Sequence, residues 1–406
     1  MLSGFKNAGP AVFVTAAFIG PGTVTACTIA GVEFGYALIW GLVVAIIAAI
    51  VLQEMAARLG VVGQQGLGQT LADSLAGSLW KWPLILLVIA ALYVGNSAYQ
   101  AGNLTGAALG VAAVTGNNDS ISLYAGLIAL IAGAVFLRGS YRLIERFLVA
   151  VVLFMSFAFI TTFIVVKPDI SSLFKGAVVP LIPERGLSTL ITLIGTTVVP
   201  YNLFLHSSAA RTRWHRVDNL KAARADTIMS ISIGGLVSIL ILSTAAASFF
   251  GSGTSIENAS DMAYQLEPVF GGRAKYLLAA GLFAAGLSSA ITAPMATAYA
   301  VSEILGLKSD TKSTAFRVIA LSVLAVGSLS VLLDLRPLEI ILFAQLANGL
   351  LLPIIALFLV LVMNRKSLLG EQANGWFANI IGLTVVVLTA SLGLRMVTQA
   401  AGSFGQ

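Results

Sequence analysis

Eleven apolar runs, most of them about 20 residues long, make up the greater part of this 406-residue sequence. An apolar helix of that length crosses the roughly 30 Å hydrocarbon layer of a membrane. Charged residues are only 10% of the chain and hydrophobic residues 58%, a balance foreign to water-soluble domains. The sequence therefore predicts an all-α membrane protein with eleven transmembrane helices, at roughly 10–32, 34–57, 84–112, 121–137, 143–166, 188–209, 228–250, 276–305, 315–333, 338–363 and 376–397.

The distribution of basic residues predicts the orientation of these helices. With the N-terminus in the cytoplasm, sixteen of the 23 Lys and Arg residues fall in cytoplasmic segments, as the positive-inside rule expects. The basic cluster in residues 211–224 is then a cytoplasmic loop, which argues against a nucleic-acid partner. We expect a multi-pass protein of a bacterial inner membrane, with a cytoplasmic N-terminus, an external C-terminus and the lipid bilayer as its surroundings.

Several classes of function are disfavoured by what the sequence lacks. The sequence contains no GxxxxGK[ST] motif and we expect no appended soluble domain, so ATP-driven transport by this chain alone is not expected. Cys27 is the single cysteine and is interpreted as a packing residue. We predict one transporter domain over residues 1–406 that is not an enzyme, needs no cofactor, and moves a small molecule or ion, with a coupling ion left open.

Two interruptions inside apolar runs indicate where a substrate would bind. They are Gly20-Pro21-Gly22-Thr23 and Val199-Pro200-Tyr201-Asn202, and neither contains a charged residue. Broken helices persist at membrane depth where they line a protein-enclosed cavity, and paired breaks in two halves of a chain point to a transporter's site. Because five spans invert the topology of the next five, we predict an inverted repeat. Its units lie at about 10–166 and 188–363, and the extra helix lies at about 376–397.

The residues around both breaks resemble the NRAMP metal transporters, which have the LeuT-type fold of the amino acid–polyamine–cation superfamily. Gly20-Pro21-Gly22-Thr23 corresponds to the family's first-helix signature Asp-Pro-Gly-Asn, and Val199-Pro200-Tyr201-Asn202 corresponds to its sixth-helix Met-Pro-His-Asn. The segment Leu203-Phe204-Leu205-His206-Ser207 extends the second match. Shorter matches lie at 57–62 and 141–146 and at Gln345 and Pro353. The resemblance covers most of the chain and implies helices 1 and 6 broken at the midplane.

The departures from the family affect its metal chemistry. The resemblance places the family's metal-binding Asp, Asn and Met at Gly20, Thr23 and Val199, of which only threonine offers a donor atom. All seventeen Asp and Glu residues are predicted in loops or near helix ends. The family's third helix carries an acidic pair for proton relay, whereas this chain has Asn96, Gln100 and Asn103 in that stretch. We therefore predict no metal site of the usual kind.

The predicted site gathers residues of both breaks and of the tenth helix. Thr23 and Asn202 are predicted to cap the half-helices that start there, whose N-termini carry partial positive charge. A small anion or a carboxylate-bearing molecule, such as bicarbonate or an amino acid, suits that field. The predicted substrate-binding residues are Gly20, Pro21, Gly22, Thr23, Thr25, Val199, Tyr201, Asn202 and Gln345. A coupling pathway is predicted through Asn96, Gln100, Asn103 and His206.

Other interpretations of the same residues stay open at this point. The first alternative is a divalent-metal importer (Mn²⁺, Fe²⁺ or Mg²⁺), as in the parent family, that uses backbone carbonyls, Asn202, Gln345 and water. The second is a transport-dead receptor or sensor that keeps the fold. Gln345 and the third-helix amides are also compatible with plain interhelical hydrogen bonds, and Tyr201 with a steric wall. His206 could carry protons or only donate a hydrogen bond inside the bundle.

Overall fold

The protein is all-α in the computed structural model, which describes residues 19–138, 142–332 and 336–403. Fourteen helices of eight residues or more lie in these ranges. They are α1 (Pro21–Phe34), α2 (Ile39–Val62), α3 (Leu67–Ser74), α4 (Lys81–Thr115), α5 (Ile121–Arg138), α6 (Arg142–Val166), α7 (Ile170–Val178), α8 (Gly186–Thr197), α9 (Pro200–Arg213), α10 (Leu220–Phe249), α11 (Ala274–Ile304), α12 (Thr314–Ser330), α13 (Pro337–Met363) and α14 (Trp376–Ser403).

Ten of the eleven predicted membrane runs coincide with helices. The run at 188–209 is divided between α8 and α9, and nine others match α2, α4, α5, α6 and α10 to α14. Within the described residues, eight helical segments are by themselves long and apolar enough to cross a membrane, and the bent pair α6–α7 would be a ninth. The remaining run, 10–32, has α1 as its second half, and its first half lies outside the described residues.

Helix packing follows the order expected of two inverted five-helix units. The third helix of each unit, α4 and α11, form the most extensive contact in the described bundle. Helices of one unit pack on helices of the other. The first helix of each unit packs on the second helix of the other (α1 on α10, and α9 on α2), and the third packs on the fourth (α4 on α12, and α11 on α5). Such exchanged pairs are what a pseudo-two-fold axis in the membrane plane produces.

One end of the bundle is marked by arginines and exposed tryptophans. We call it the basic face and define it by Arg58 at the end of α2, Arg211 at the end of α9 and Arg224 near the start of α10. Trp80, Trp82 and Trp376, where α4 and α14 begin, are 60–75% exposed at this end. Tryptophans concentrate at the membrane–water interface, so these side chains indicate the edge of the membrane-embedded part.

Candidate functional site

The second break separates α8 from α9 by two residues. α8 ends at Thr197, Val198 and Val199 are non-helical, and Pro200 is the first residue of α9. Proline suits that first position, since its ring presets the helical φ and its missing N–H would have no partner there. The residue before a proline is pushed towards extended backbone, and Val199 is extended, with φ −83° and ψ 118°. The sequence Val-Val-Pro therefore produces the break locally.

The first break has the same local construction on its described side. Pro21 is the first residue of α1, and Gly20 precedes it with φ −96° and ψ −178°. The prediction that Thr23 and Asn202 are N-caps is wrong, because proline at the first helical position moves the cap to Gly20 and Val199. Neither cap has a side chain that accepts a hydrogen bond. Thr23 and Asn202 lie in the first turn, where their N–H groups donate to Gly20 O and Val199 O at 3.1 Å.

Gln345 of α13 lies where the two broken helices meet. A Cβ atom on Gly22 of α1 would overlap the Gln345 side-chain amide, and a Cβ on Gly195 of α8 would overlap the Gln345 backbone carbonyl. Glycine at both positions lets α13 approach so closely. Gln345 is 1% exposed. The structure thus brings Gln345 to the first break, as predicted, and adds Gly195 to the site.

Several oxygens around the breaks are buried and unpaired. Asn202 Oδ1, Gln345 Oε1 and Thr25 Oγ1 have no hydrogen-bond partner among the described residues. Thr23 differs, because its hydroxyl shares a hydrogen bond of 2.8 Å with the Thr196 hydroxyl, which ties α1 to the end of α8. Buried polar atoms are normally paired, so unpaired ones at a helix break call for a ligand or water.

Apolar and aromatic groups close the remaining sides of the site. The Tyr201 ring packs edge-on against Tyr99 of α4, with centroids 5.4 Å apart. Gly106 of α4 lies so close to Pro21 that a Cβ there would overlap the proline ring. Val199 is 1% exposed. Pro21, Val199 and Tyr201 are therefore part of the wall, and α4 contacts both breaks.

Three of the four residues predicted as a coupling pathway make interhelical hydrogen bonds. Asn96 Nδ2 donates to Thr297 Oγ1 at 2.6 Å and Gln100 Nε2 donates to Ala290 O at 3.0 Å, both joining α4 to α11. Asn103 is 2% exposed, with an unpaired Nδ2. His206 Nδ1 lies 2.8 Å from Gln53 Oε1 of α2, which requires the proton on Nδ1. These contacts match the structural alternative, and a role in coupling stays a prediction.

Charge is absent from the immediate surroundings of both breaks in the described chain. The buried charged side chains in that part are Arg58 and Glu303, and both belong to the basic face. No group of three or more His, Cys, Asp or Glu residues within the ranges given above could hold a metal ion. The described site is a closed, neutral arrangement of hydroxyls and amides.

Sequence reasoning missed three polar residues of this region. Thr196 pairs with Thr23, Gln53 pairs with His206, and Asn348, one turn after Gln345, is 1% exposed. Thr196 is the second-last residue of α8, close to the second break, so its position offered a hint. Gln53 and Asn348 lie in long apolar runs, where a lone amide would have been the only available signal.

Comparison with known proteins gives a consistent result over nearly the whole chain. Residues 11–399 match the family described as "Natural resistance-associated macrophage protein-like", or Nramp. A "Divalent metal cation transporter MntH" of Pectobacterium carotovorum is 27% identical over 400 residues, covering 96% of this chain and 93% of the relative. The protein of that name from Deinococcus radiodurans is 25% identical over 410 residues, covering 97% and 90%.

Solved structures share the fold at lower identity. The Eremococcus coleocola manganese transporter superposes with a TM-score of 0.81 at 22% identity, covering 98% of this chain and 87% of that one. Mhp1, a nucleobase-cation-symport-1 family transporter, gives 0.60 at 15% identity, covering 98% and 93%. MhsT, solved with L-phenylalanine, also gives 0.60 at 15%, covering 96% and 98%. These likenesses confirm the predicted fold.

Proposed function

We propose that this chain, which belongs to the Nramp family, carries a divalent metal cation through the site between its two broken helices. It is an integral membrane protein with the fold of secondary transporters, and we place it in a bacterial inner membrane. A divalent cation was the first alternative that the sequence left open beside a small anion. Relatives named as divalent metal cation transporters, which match nearly the whole chain, favour it over the anion.

The observation that carries the proposal is the pair of unpaired amide oxygens. Asn202 Oδ1 comes from the second break, and Gln345 Oε1 belongs to the side chain packed against the first. Both are buried and have no hydrogen-bond partner in the described part of the chain. Amide and hydroxyl oxygens are ligands for hard cations such as Mg²⁺ and Mn²⁺, which also retain water molecules in protein sites.

Neutral ligands imply weak binding. A dication loses hydration free energy on burial, and a carboxylate would normally offset that loss. With Gly20, Thr23 and Val199 at the ligand positions of the family, only neutral oxygens and retained water offset it here. We expect dissociation constants for Mn²⁺ and Fe²⁺ in the millimolar range.

A small anion is the second candidate. It is favoured by the two half-helix N-termini that meet without a carboxylate beside them. The local geometry weakens it. Prolines remove one N–H from each first turn, and the Thr23 and Asn202 amides already donate to backbone carbonyls. Each half-helix thus offers an anion fewer free donors than an ordinary N-terminus.

One substitution separates the two candidates by the sign of its effect. Gly20 is buried but has φ −96°, which any residue adopts, and aspartate is a good N-cap, so the backbone at this position accommodates Gly20→Asp. Gly20→Asn caps equally well without charge and is the matched control. The measurement is calorimetric titration of the purified wild type and both variants with Mn²⁺ and with bicarbonate.

For a cation site, Gly20→Asp should tighten Mn²⁺ binding by at least about tenfold over Gly20→Asn, since a carboxylate restores the missing counter-charge. For an anion site, the wild type should bind bicarbonate and Gly20→Asp should abolish that binding. Equal Mn²⁺ isotherms for the two variants would contradict the cation proposal.

A further inference from the structure

Glu303 is a buried carboxylate at the basic face, in the last turn of α11. It is 6% exposed, and every other Asp and Glu of the described residues is less buried. Its Oε1 accepts a hydrogen bond from Ser208 Oγ at 2.6 Å and lies 3.6 Å from Arg211 Nη2. Both partners belong to α9, so one carboxylate joins the end of α11 to the half-helix that begins at the second break.

The second carboxylate oxygen of Glu303 faces the start of α3. A Cβ on Gly66, the residue before α3, would overlap that oxygen, and one on Gly68 would lie 2.9 Å from Glu303 Cβ. The Leu67 N–H at the same helix start donates to Ser207 Oγ of α9 at 2.9 Å. A carboxylate near a helix N-terminus is electrostatically favourable. The start of α3 is therefore held between α9 and α11.

We propose that Glu303 is a positioning residue of the transport cycle, a latch that holds α9 against α11 and α3 and keeps the site closed at the basic face. Asn202 lies in the first turn of α9, and Ser208 lies six residues later on the same helix. Opening the site towards the basic face requires α9 to separate from α11 and α3. The Ser208–Glu303 and Ser207–Leu67 hydrogen bonds join these helices between the second break and the basic face. The proposal rests on the proposed function in one respect only: it assumes that the site opens in turn to the two sides of the membrane, which is alternating access.

The charges around Glu303 argue against a cation site at this position. A cavity of about 480 Å³ adjoins the carboxylate and is lined by Arg211 of α9, Lys81 of α4, Asp73 of α3 and the end of α11. Two cationic side chains, Arg211 and Lys81, and two carboxylates, Asp73 and Glu303, thus face the same space, and Arg211 already pairs with Glu303. The Glu303 charge therefore has its partner on α9 and needs no bound cation, as a latch to α9 requires.

Cysteine accessibility tests the latch in the whole protein. Cys27 is the only native cysteine and is fully buried, so Cys27→Ala provides a background. The reporter is Ala300→Cys, on α11 one turn before Glu303. Ala300 is buried, and its carbonyl lies 2.8 Å from where a Gly68 Cβ would be. The measured quantity is the rate at which a water-soluble maleimide modifies it in purified protein.

Ser208→Ala, which removes the charge-assisted hydrogen bond, should raise this rate about tenfold by shifting the population towards the state open at the basic face. Glu303→Gln should act in the same direction, since an amide N–H₂ would then face the start of α3. Ser208→Thr keeps the hydroxyl and should label like the reporter alone. Ser238→Ala removes a buried hydroxyl bonded only within α10 and should leave the rate unchanged.

A second reporter, Ala279→Cys, distinguishes latch opening from general loosening. It is buried in the same helix, α11, but far from the basic face, and its labelling should not change in Ser208→Ala. Equal rates for Ser208→Ala and Ser238→Ala at Ala300→Cys would overturn the latch, as would equal acceleration at both reporters. No substrate is present in this assay, so its outcome is independent of whether Mn²⁺ binds.

Discussion

At the scale of single residues, the site depends on the absence of a Cβ atom at glycine. Gly22 has no Cβ, and the Gln345 amide occupies the space where one would be. Gln345 Oε1 then remains buried without a partner among the described residues. The position of this oxygen, one of the two that carry the proposed cation site, is set by the absence of a methyl group.

Gly22→Ala tests this close approach. The added methyl group would displace the end of the flexible Gln345 side chain, so we expect the fold to survive and Mn²⁺ affinity to fall by about tenfold or more, as when groups that orient metal ligands are removed. Calorimetry gives the affinity and a thermal melt gives the fold.

The matched control is Gly126→Ala in α5, where a Cβ would meet no atom within 4 Å. Its affinity should equal that of the wild type. If Gly22→Ala and Gly126→Ala bind Mn²⁺ equally, Gln345 is not a ligand in the position described.

At the scale of helices, each break is a local consequence of proline that tertiary contacts then fix. Pro21 and Pro200 start α1 and α9, and α4 and α13 pack against them. The hydrogen bond of 2.8 Å between the Thr23 and Thr196 hydroxyls joins α1, at the first break, to α8, at the second. The α4 amides Asn96 and Gln100 hold α4 to α11 through Thr297 and Ala290. Side chains predicted to form a coupling pathway thus also stabilise the packing of α4 on α11.

Thr196→Val removes the inter-helix hydroxyl pair with little change in shape. We expect a loss of about 0.5–1.5 kcal/mol in the free energy of unfolding, the usual net value of one buried hydrogen bond. Thr197→Val is the control, since its hydroxyl bonds only to Leu193 O in its own helix. Denaturant unfolding in detergent measures both, and equal losses would mean that the pair does not link α1 to α8.

At the scale of the molecule, charge asymmetry and repeat structure determine how the protein lies in the membrane. The basic face carries Arg58, Arg211 and Arg224, and Glu54 pairs with two of them at 3.1 and 2.7 Å. Arg58 also donates to Gln372 O and Asn374 Oδ1, both at 2.7 Å, which ties the segment before α14 to α2. The positive-inside rule predicts that this face is cytoplasmic.

The orientation is testable with single cysteines in the Cys27→Ala background. His215→Cys follows α9 at the basic face and Glu257→Cys follows α10 at the opposite face, and both positions are exposed. In intact cells, a membrane-impermeant maleimide should label Glu257→Cys only, because His215→Cys would be cytoplasmic. Labelling of His215→Cys without Glu257→Cys would reverse the predicted topology.

Much of the fold was predictable because membrane burial imposes a strong, local pattern. Helices longer than about 20 apolar residues follow from the hydrocarbon thickness, so ten predicted runs coincide with helices in the described chain. The breaks were predictable for the same reason, since proline acts through its own ring and its missing N–H. The cap positions were predicted wrongly at Thr23 and Asn202, where proline moved the helix start back by several residues.

What only the tertiary structure decided is which polar groups meet across helices distant in sequence. Gln345 reaches Gly22 over more than 300 residues, His206 finds Gln53 in α2, and Glu303 meets Ser208 and the start of α3. A hydrogen bond depends on separation and direction in space, which a one-dimensional pattern does not contain. The sequence alone determined the membrane class, the helix order and the two breaks, because each depends on residues that are neighbours along the chain.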